Sequence, residues 1–141
     1  MNSLKVSDFM QRQPLSLTAD MSVAAAVEKL LKSSQIGAPV VDDKGQVVGW
    51  VSEQDVLASL LESSYYCEQV ANVNDVMRTE VLAMKAEDTI IELAQKMLDV
   101  RPKMYPVTDE EGHLIGLITR RDVLKAMDKQ QQTCYANAAN I

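Results

Sequence analysis

The chain is an internal duplication, and this feature restricts its fold more than any other. A shift of 67 residues places its two halves over each other without a gap. Identical pairs follow in order along the chain, among them Pro39 with Pro106, Asp42 with Asp109, Gly45 with Gly112, Gly49 with Gly116, and Asp55 with Asp122. An ordered series at one constant offset predicts two copies of one structural unit.

Each copy is predicted to form a β-α-β-β-α unit after a short helical lead-in. Apolar residues recur at i, i+4, i+7 and i+8, which predicts a buried helical stripe over residues 22–33 and again 67 residues later. The two stripes are Val23, Val27, Leu30 and Leu31, and Ile90, Ala94, Met97 and Leu98. Residues 47–51 and 114–118 are almost wholly apolar, which favours central strands. Each follows a predicted hairpin turn in which Gly45 or Gly112 can adopt a positive φ.

The predicted organisation is an α+β fold of two interdependent repeats. The expected boundaries are 6–62 for the first repeat, 63–72 for a linker, 73–128 for the second repeat and 129–141 for a flexible polar tail. A unit of roughly 60 residues lies near the lower limit for a stable single domain. We therefore expect the two repeats to pack on each other about a pseudo-twofold axis.

The composition argues against several function classes. The net charge of −6 and the aromatic content of 4% disfavour binding to duplex or single-stranded nucleic acid. There is no apolar run of about 18 residues and no signal-peptide pattern, so no membrane association is expected. The two cysteines, Cys67 and Cys134, form no metal-binding or disulfide pattern, which favours a cytoplasmic location and no metal.

The sequence also lacks the features of an enzyme. The single histidine, His113, lies in a predicted turn, and no nucleotide-hydrolysing, hydrolase or metalloprotease motif is present. Cys67 has no evident partner base. We predict that the chain is not an enzyme.

The paired motifs resemble a known family. Residues 48–57 read Val-Gly-Trp-Val-Ser-Glu-Gln-Asp-Val-Leu after a Gly-Ala-Pro-Val-Val-Asp segment, and this pattern resembles a CBS domain. Residues 115–124 read Ile-Gly-Leu-Ile-Thr-Arg-Arg-Asp-Val-Leu after Tyr-Pro-Val-Thr-Asp and resemble a second one. Two in tandem resemble a Bateman module. The resemblance implies an α+β fold with two clefts that bind an adenosine nucleotide (AMP, ADP or ATP), S-adenosylmethionine or a cyclic dinucleotide.

The resemblance also implies which residues form the clefts. Asp55 and Asp122 would accept hydrogen bonds from ribose hydroxyls, and Ser52 and Thr119 would face the phosphate or ribose. The residues implied to line the base are Gly37, Ala38, Met104 and Tyr105, together with the first strands near residues 14–18 and 81–85. The same Ser/Thr-x-x-Asp spacing is that of a helix capping box, so the residues leave both roles open.

The two copies differ in charge around this motif. Arg120 and Arg121 follow Thr119, and Arg101 and Lys103 precede the strand beside it, whereas the first copy is neutral to acidic there. These long side chains either point into solvent or bind an anion. The second interpretation predicts one dominant nucleotide site beside the four basic residues.

The leading hypothesis is a regulatory module that senses an adenosine nucleotide and modulates a partner protein that the sequence does not identify. The alternative is a scaffold or interaction protein with no physiological ligand. Apolar positions on the last helix of each repeat belong either to the core or to a homodimer surface, and the resemblance favours a homodimer. These positions are Val56, Leu57, Leu60 and Leu61, and Val123, Leu124 and Met127.

Overall fold

A computed structural model describes residues 4–66, 71–99 and 102–139 and shows two β-α-β-β-α repeats. The first repeat follows α1 (Val6–Phe9) and contains β1 (Leu17–Thr18), α2 (Val23–Lys32), β2 (Gly37–Val41), β3 (Val47–Ser52) and α3 (Glu53–Tyr66). The second follows α4 (Val73–Val76) and contains β4 (Met84–Lys85), α5 (Ile90–Asp99), β5 (Met104–Thr108), β6 (Leu114–Thr119) and α6 (Arg120–Ala139). The predicted α+β fold is confirmed.

Each repeat has its own three-stranded sheet. The strand orders are β1-β2-β3 and β4-β5-β6, with the first pair parallel and the second antiparallel. The prediction that residues 47–51 and 114–118 form central strands is therefore wrong, because β3 and β6 lie at sheet edges. The other repeat covers these edges: Trp50 pairs with Arg78, and Leu117 pairs with Gln11. The apolar runs reflect contact with the second repeat rather than a central place in the sheet.

The lead-in helices are exchanged between the repeats. Val6 of α1 lies in the hydrophobic core of the second repeat, and Val73 of α4 lies in the core of the first. The backbone N–H of Val6 donates to the Asp88 carbonyl at 2.8 Å, and that of Val73 donates to the Met21 carbonyl at 2.8 Å. Each core is thus completed by a segment that precedes the other repeat.

The two hairpin turns meet each other. Gly45 has φ +82° and Gly112 has φ +88°, so the predicted positive φ at both glycines is confirmed. The Val47 N–H donates to the Gly112 carbonyl, and the Leu114 N–H donates to the Gly45 carbonyl, each at 3.0 Å. The repeats are therefore joined both at their turns and at their exchanged lead-ins.

The buried face of each first helix is narrower than predicted. In α2 the buried residues are Val23, Ala26 and Leu30, whereas Leu31 is 78% exposed. In α5 the equivalent Leu98 is 87% exposed. The helices contact their sheets through positions i, i+3 and i+7, and position i+8 lies about 110° of helical rotation away from the centre of that face.

The last helix of each repeat is longer than predicted. Helix α3 continues to Tyr66, so residues 63–66 of the expected linker are helical, and Cys67 lies outside the described residues. Helix α6 continues to Ala139, whereas the sequence predicts a flexible tail from Lys129. That segment contains alanine, glutamine and lysine but neither glycine nor proline, so nothing in it ends a helix. In the described part of the chain, no helix has both the length and the apolar character that crossing a bilayer requires.

Candidate functional site

The Ser/Thr-x-x-Asp motif lies where β3 passes into α3 and where β6 passes into α6. In the first repeat, the Ser52 N–H donates to Asp55 Oδ2 at 2.9 Å, and the Asp55 N–H donates to Ser52 Oγ at 3.1 Å. In the second, the Thr119 N–H donates to Asp122 Oδ2 at 2.9 Å, and the Asp122 N–H donates to Thr119 Oγ1 at 3.1 Å. Both motifs therefore form capping boxes. A cap can still present its carboxylate to a cleft, so a ligand role is compatible with this geometry.

Each motif carboxylate is also contacted from the opposite lead-in. Arg78 donates from Nη2 to Asp55 Oδ1 at 3.3 Å and from Nε to Asp55 Oδ2 at 3.4 Å. Gln11 donates from Nε2 to Asp122 Oδ2 at 3.1 Å. Residues 11 and 78 are equivalent in the 67-residue repeat, so the two contacts are pseudo-symmetric. The carboxylates thus join the motif of one repeat to the lead-in of the other.

These contacts set the electrostatics of Asp55. Burial raises the pKa of its carboxyl, but the hydrogen bonds from Ser52 and the contact with Arg78 outweigh burial and hold the pKa below its ordinary value. Asp55 is therefore a carboxylate at neutral pH. An ionised carboxylate accepts hydrogen bonds from two neighbouring hydroxyls, as a ribose would supply.

A cavity of about 490 Å³ opens beside the first motif, between the two repeats. The residues that line it are Ile36, Gly37, Trp50, Ser52, Glu53, Gln54, Arg78, Pro102, Lys103 and Met104. Six come from the first repeat, Arg78 follows the lead-in helix α4, and three precede or begin β5. Its volume lies within the range of about 300–1,000 Å³ that is usual for small-molecule sites.

The structure brings together three residues that the resemblance implies and one of the four basic residues that the charge comparison singles out. Gly37, Ser52, Lys103 and Met104 all line the cavity, and Asp55 adjoins it through Arg78. Lys103 therefore lies in the lining beside Ser52, although its carbonyl also accepts the Arg120 N–H at 2.8 Å.

The other candidate residues that the structure describes lie outside this lining. Thr119 and Asp122 form the second motif, Arg120 and Arg121 are exposed at the start of α6, and Arg101 lies outside the described residues. Ala38 and Tyr105 do not line the cavity either. Their side chains are buried in the two cores, at 0% and 1% exposure. Alternate residues of a strand point to opposite faces, so these two share the core side with Val40 and Val107, whereas Gly37 and Met104 do not.

The residues that sequence reasoning missed are Trp50 and Arg78. The sequence predicts only that Trp50 belongs to a strand, and Arg78 belongs to no motif. The one available signal was the position of Arg78 directly after the lead-in, where its counterpart in the first repeat is Gln11. Without the exchange of lead-ins, Arg78 would not lie beside the Asp55 carboxylate.

The described residues contain no group of three or more His, Cys, Asp or Glu side chains that could hold a metal ion. His113 lies beside the second turn, where its Nδ1 is 3.1 Å from Asp109 Oδ2. This turn is away from the cavity lining.

Comparisons with known proteins agree on one architecture. The family model described as CBS domain matches residues 6–62 and again residues 73–129. The crystal structure of CBSX2 of Arabidopsis thaliana in complex with AMP aligns with a TM-score of 0.80 at 29% identity and covers 91% of this chain and 98% of that one.

Two further solved structures share the fold. The CBS domain pair of protein MJ0100, in complex with 5′-methylthioadenosine and S-adenosyl-L-methionine, aligns with a TM-score of 0.80 at 20% identity over 92% of this chain and 99% of that one. The cytosolic domain of the Mg²⁺ channel MgtE in complex with ATP aligns with a TM-score of 0.72 at 26% identity. That match covers 84% of this chain but only 46% of the MgtE chain.

Proposed function

Because the chain belongs to the CBS domain family and carries two copies of that domain, we propose that it is a regulatory module that binds an adenosine nucleotide between its repeats. It modulates a partner protein and catalyses no reaction itself. The observation that carries the proposal is the cavity between the repeats, where an aromatic ring, a capping-box serine and two cations lie together.

The cavity lining, together with Asp55 that adjoins it through Arg78, offers a partner for each part of a nucleotide. Trp50 supplies an aromatic surface for the base, and Asp55 supplies a carboxylate for the ribose hydroxyls. Arg78 and Lys103 supply positive charge for the phosphate. The AMP complex of CBSX2 and the ATP complex of MgtE support an adenine nucleotide as the ligand class.

Regulation follows from the position of the carboxylates. Asp55 and Asp122 each join one repeat to the lead-in of the other, through Arg78 and Gln11. A ligand that competes for these carboxylates favours a different set of contacts between the repeats, and thereby shifts the population of conformations that a partner recognises. The partner and the cytoplasmic location stay predictions.

We further propose that two copies associate through α3 and α6. Leu57 and Leu61 on α3 are 66% and 67% exposed, and Leu124 on α6 is 65% exposed. Leu57 and Leu124 are equivalent in the two repeats, so both helices present leucine at the same place. Exposed apolar clusters of this kind are typical of protein–protein contacts.

The same leucines favour a second candidate function, that of a scaffold without a physiological ligand. Calorimetry and thermal unfolding with adenosine, AMP, ADP, ATP and S-adenosylmethionine separate the two, with GMP as the control for the base. Nucleotide sensing predicts binding of at least one adenine nucleotide and a higher melting temperature, equivalent to about 2.7 kcal/mol at a hundredfold excess over Kd. Binding of none of them would leave the scaffold function.

A further inference from the structure

The two halves of the cleft have diverged at three equivalent positions. The half beside Asp55 has Gly37, Trp50 and Arg78. The residues at the equivalent positions of the duplication are Met104, Leu117 and Gln11, and of these Gln11 contacts Asp122. The first half therefore has an aromatic ring and a guanidinium where the second has aliphatic and amide side chains.

Trp50 depends on Gly37 for its position. A Cβ at residue 37 would lie 2.9 Å from Trp50 Nε1 and 3.0 Å from Cζ2, closer than side chains tolerate. The absence of a side chain at Gly37 lets the indole lie against the strand, and the ring remains partly exposed along the cavity. Leu117, in contrast, is fully buried.

Arg78 is held only loosely by Asp55. Its two contacts, at 3.3 and 3.4 Å, are long for charge-assisted hydrogen bonds, and its side chain is 65% exposed. An ion pair with long contacts and a mostly exposed guanidinium contributes little stability, so a ligand can displace Arg78 from Asp55 at small cost. The guanidinium has five N–H donors and can hold a phosphate with two of them.

We infer that Arg78 is the residue that selects phosphorylated ligands over nucleosides in the half of the cleft beside Asp55, an inference that rests on the proposed function. When ribose hydroxyls hydrogen-bond to the Asp55 carboxylate, Arg78 loses its ion-pair partner. A phosphate on the same ligand gives the guanidinium a new anionic partner, whereas adenosine leaves it without one. Lys103 adds a second positive charge to the lining, and the two cations outnumber Glu53 there. This assignment differs from the sequence prediction, which places the anion beside Arg120 and Arg121.

The test compares AMP with adenosine on the full chain. Trp50 is the only tryptophan, so its fluorescence reports occupancy of this half, while calorimetry reports total binding. We expect the wild type to bind AMP about ten- to a hundredfold more tightly than adenosine, the effect of one bond to a charged group. Arg78→Gln, which copies the residue of the other half, should abolish this preference, and Arg78→Lys should retain part of it.

A matched control is Arg120→Gln with Arg121→Gln, which should leave the preference seen by Trp50 unchanged. The inference is overturned if the wild type binds both ligands equally, if AMP binds without changing Trp50 fluorescence, or if Arg78→Gln keeps the preference. It is also overturned if the Arg120 and Arg121 changes abolish the preference instead. Failure of the proposed function is a distinct result, because calorimetry would then show no binding of any adenine ligand to the wild type.

Discussion

Gly49 and Met77 fit together so closely that a Cβ at position 49 would lie 2.6 Å from the Met77 sulfur and 3.0 Å from the Arg78 carbonyl oxygen. Gly116 and Met10 have the same relationship in the other half, also at 2.6 Å. In each pair the glycine belongs to an edge strand and the methionine ends the lead-in of the other repeat. The two glycines are therefore required where the repeats meet.

Gly49→Ala should destabilise the protein by about 1–3 kcal/mol, as overpacking of a close contact does. The methionine side chain can move, but the Arg78 carbonyl is backbone and is held by its hydrogen bond from Trp50 at 2.9 Å. Chemical denaturation measures the effect. A double-mutant cycle with Met77→Ala should show coupling between the two sites, and additive effects would contradict the contact.

Asp55→Asn should weaken AMP binding about ten- to a hundredfold, while Asp122→Asn should leave the dominant site intact. The amide oxygen of asparagine can accept the same hydrogen bond from the Ser52 or Thr119 N–H, so both variants should melt close to the wild type. Calorimetry and thermal unfolding measure the two effects together. If Asp122→Asn weakens AMP binding and Asp55→Asn does not, the dominant site lies instead in the half beside Arg120 and Arg121.

Asp122→Ala tests the contribution of the second capping box to stability rather than a contact with the ligand. It removes the acceptor of the Thr119 N–H and of the Gln11 side chain, so the expected cost is about 1 kcal/mol or somewhat more. Comparison of its melting temperature with that of Asp122→Asn isolates the cap. Equal melting temperatures for the two variants would show that the hydrogen bonds accepted by the residue 122 side chain contribute no stability.

Leu57→Glu combined with Leu124→Glu should convert a dimer into a monomer, because a stable interface of about 1,600 Å² does not tolerate two buried charges. Sedimentation should give twice the chain mass for the wild type and the chain mass for the variant. Leu82→Glu is the matched control, since Leu82 is 53% exposed but lies outside α3 and α6. A wild type that sediments as a monomer at high micromolar concentration contradicts the proposed dimer.

Acid should destabilise the wild type more than Asp109→Asn. Hydrogen bonds from the His113 and Glu111 N–H groups, each at 2.9 Å, hold the pKa of the Asp109 carboxyl below its ordinary value. A carboxyl whose pKa is lowered by folding stabilises the fold above that value and loses this contribution as the pH falls through the folded pKa. Melting temperatures measured as the pH is lowered below about 5 should therefore converge for the two proteins. Parallel curves would contradict the role of Asp109.

Much of each repeat could be predicted from local sequence. The turn glycines, the helix that follows Ser22 and both capping boxes depend on residues close together in the chain, and such patterns predict local structure well. The burial of Ala38 could also have been predicted, because strand alternation places it with Val40 on the core side.

The exchange of lead-ins could not be predicted in the same way. Val6 and Val73 occupy equivalent positions of the duplication. The sequence pattern of an apolar residue is the same whether its side chain packs in its own repeat or in the other. The apolar runs of β3 and β6 indicate that both faces of these strands are covered, but they do not indicate which segment of the chain covers them. Arg78 was missed for this reason, since its place beside Asp55 exists only once the lead-ins are exchanged.

The paired contacts between the repeats bear on how such a chain could diverge. Two separate molecules of a single repeat could exchange their lead-ins and pair their turns in the same manner, and symmetry would then force identical residues on both clefts. Covalent joining makes the association intramolecular and independent of concentration. It also allows a substitution in one repeat to alter one cleft without altering the other, as with glutamine at position 11 and arginine at position 78. Two copies of one ancestral site can then acquire separate ligand preferences.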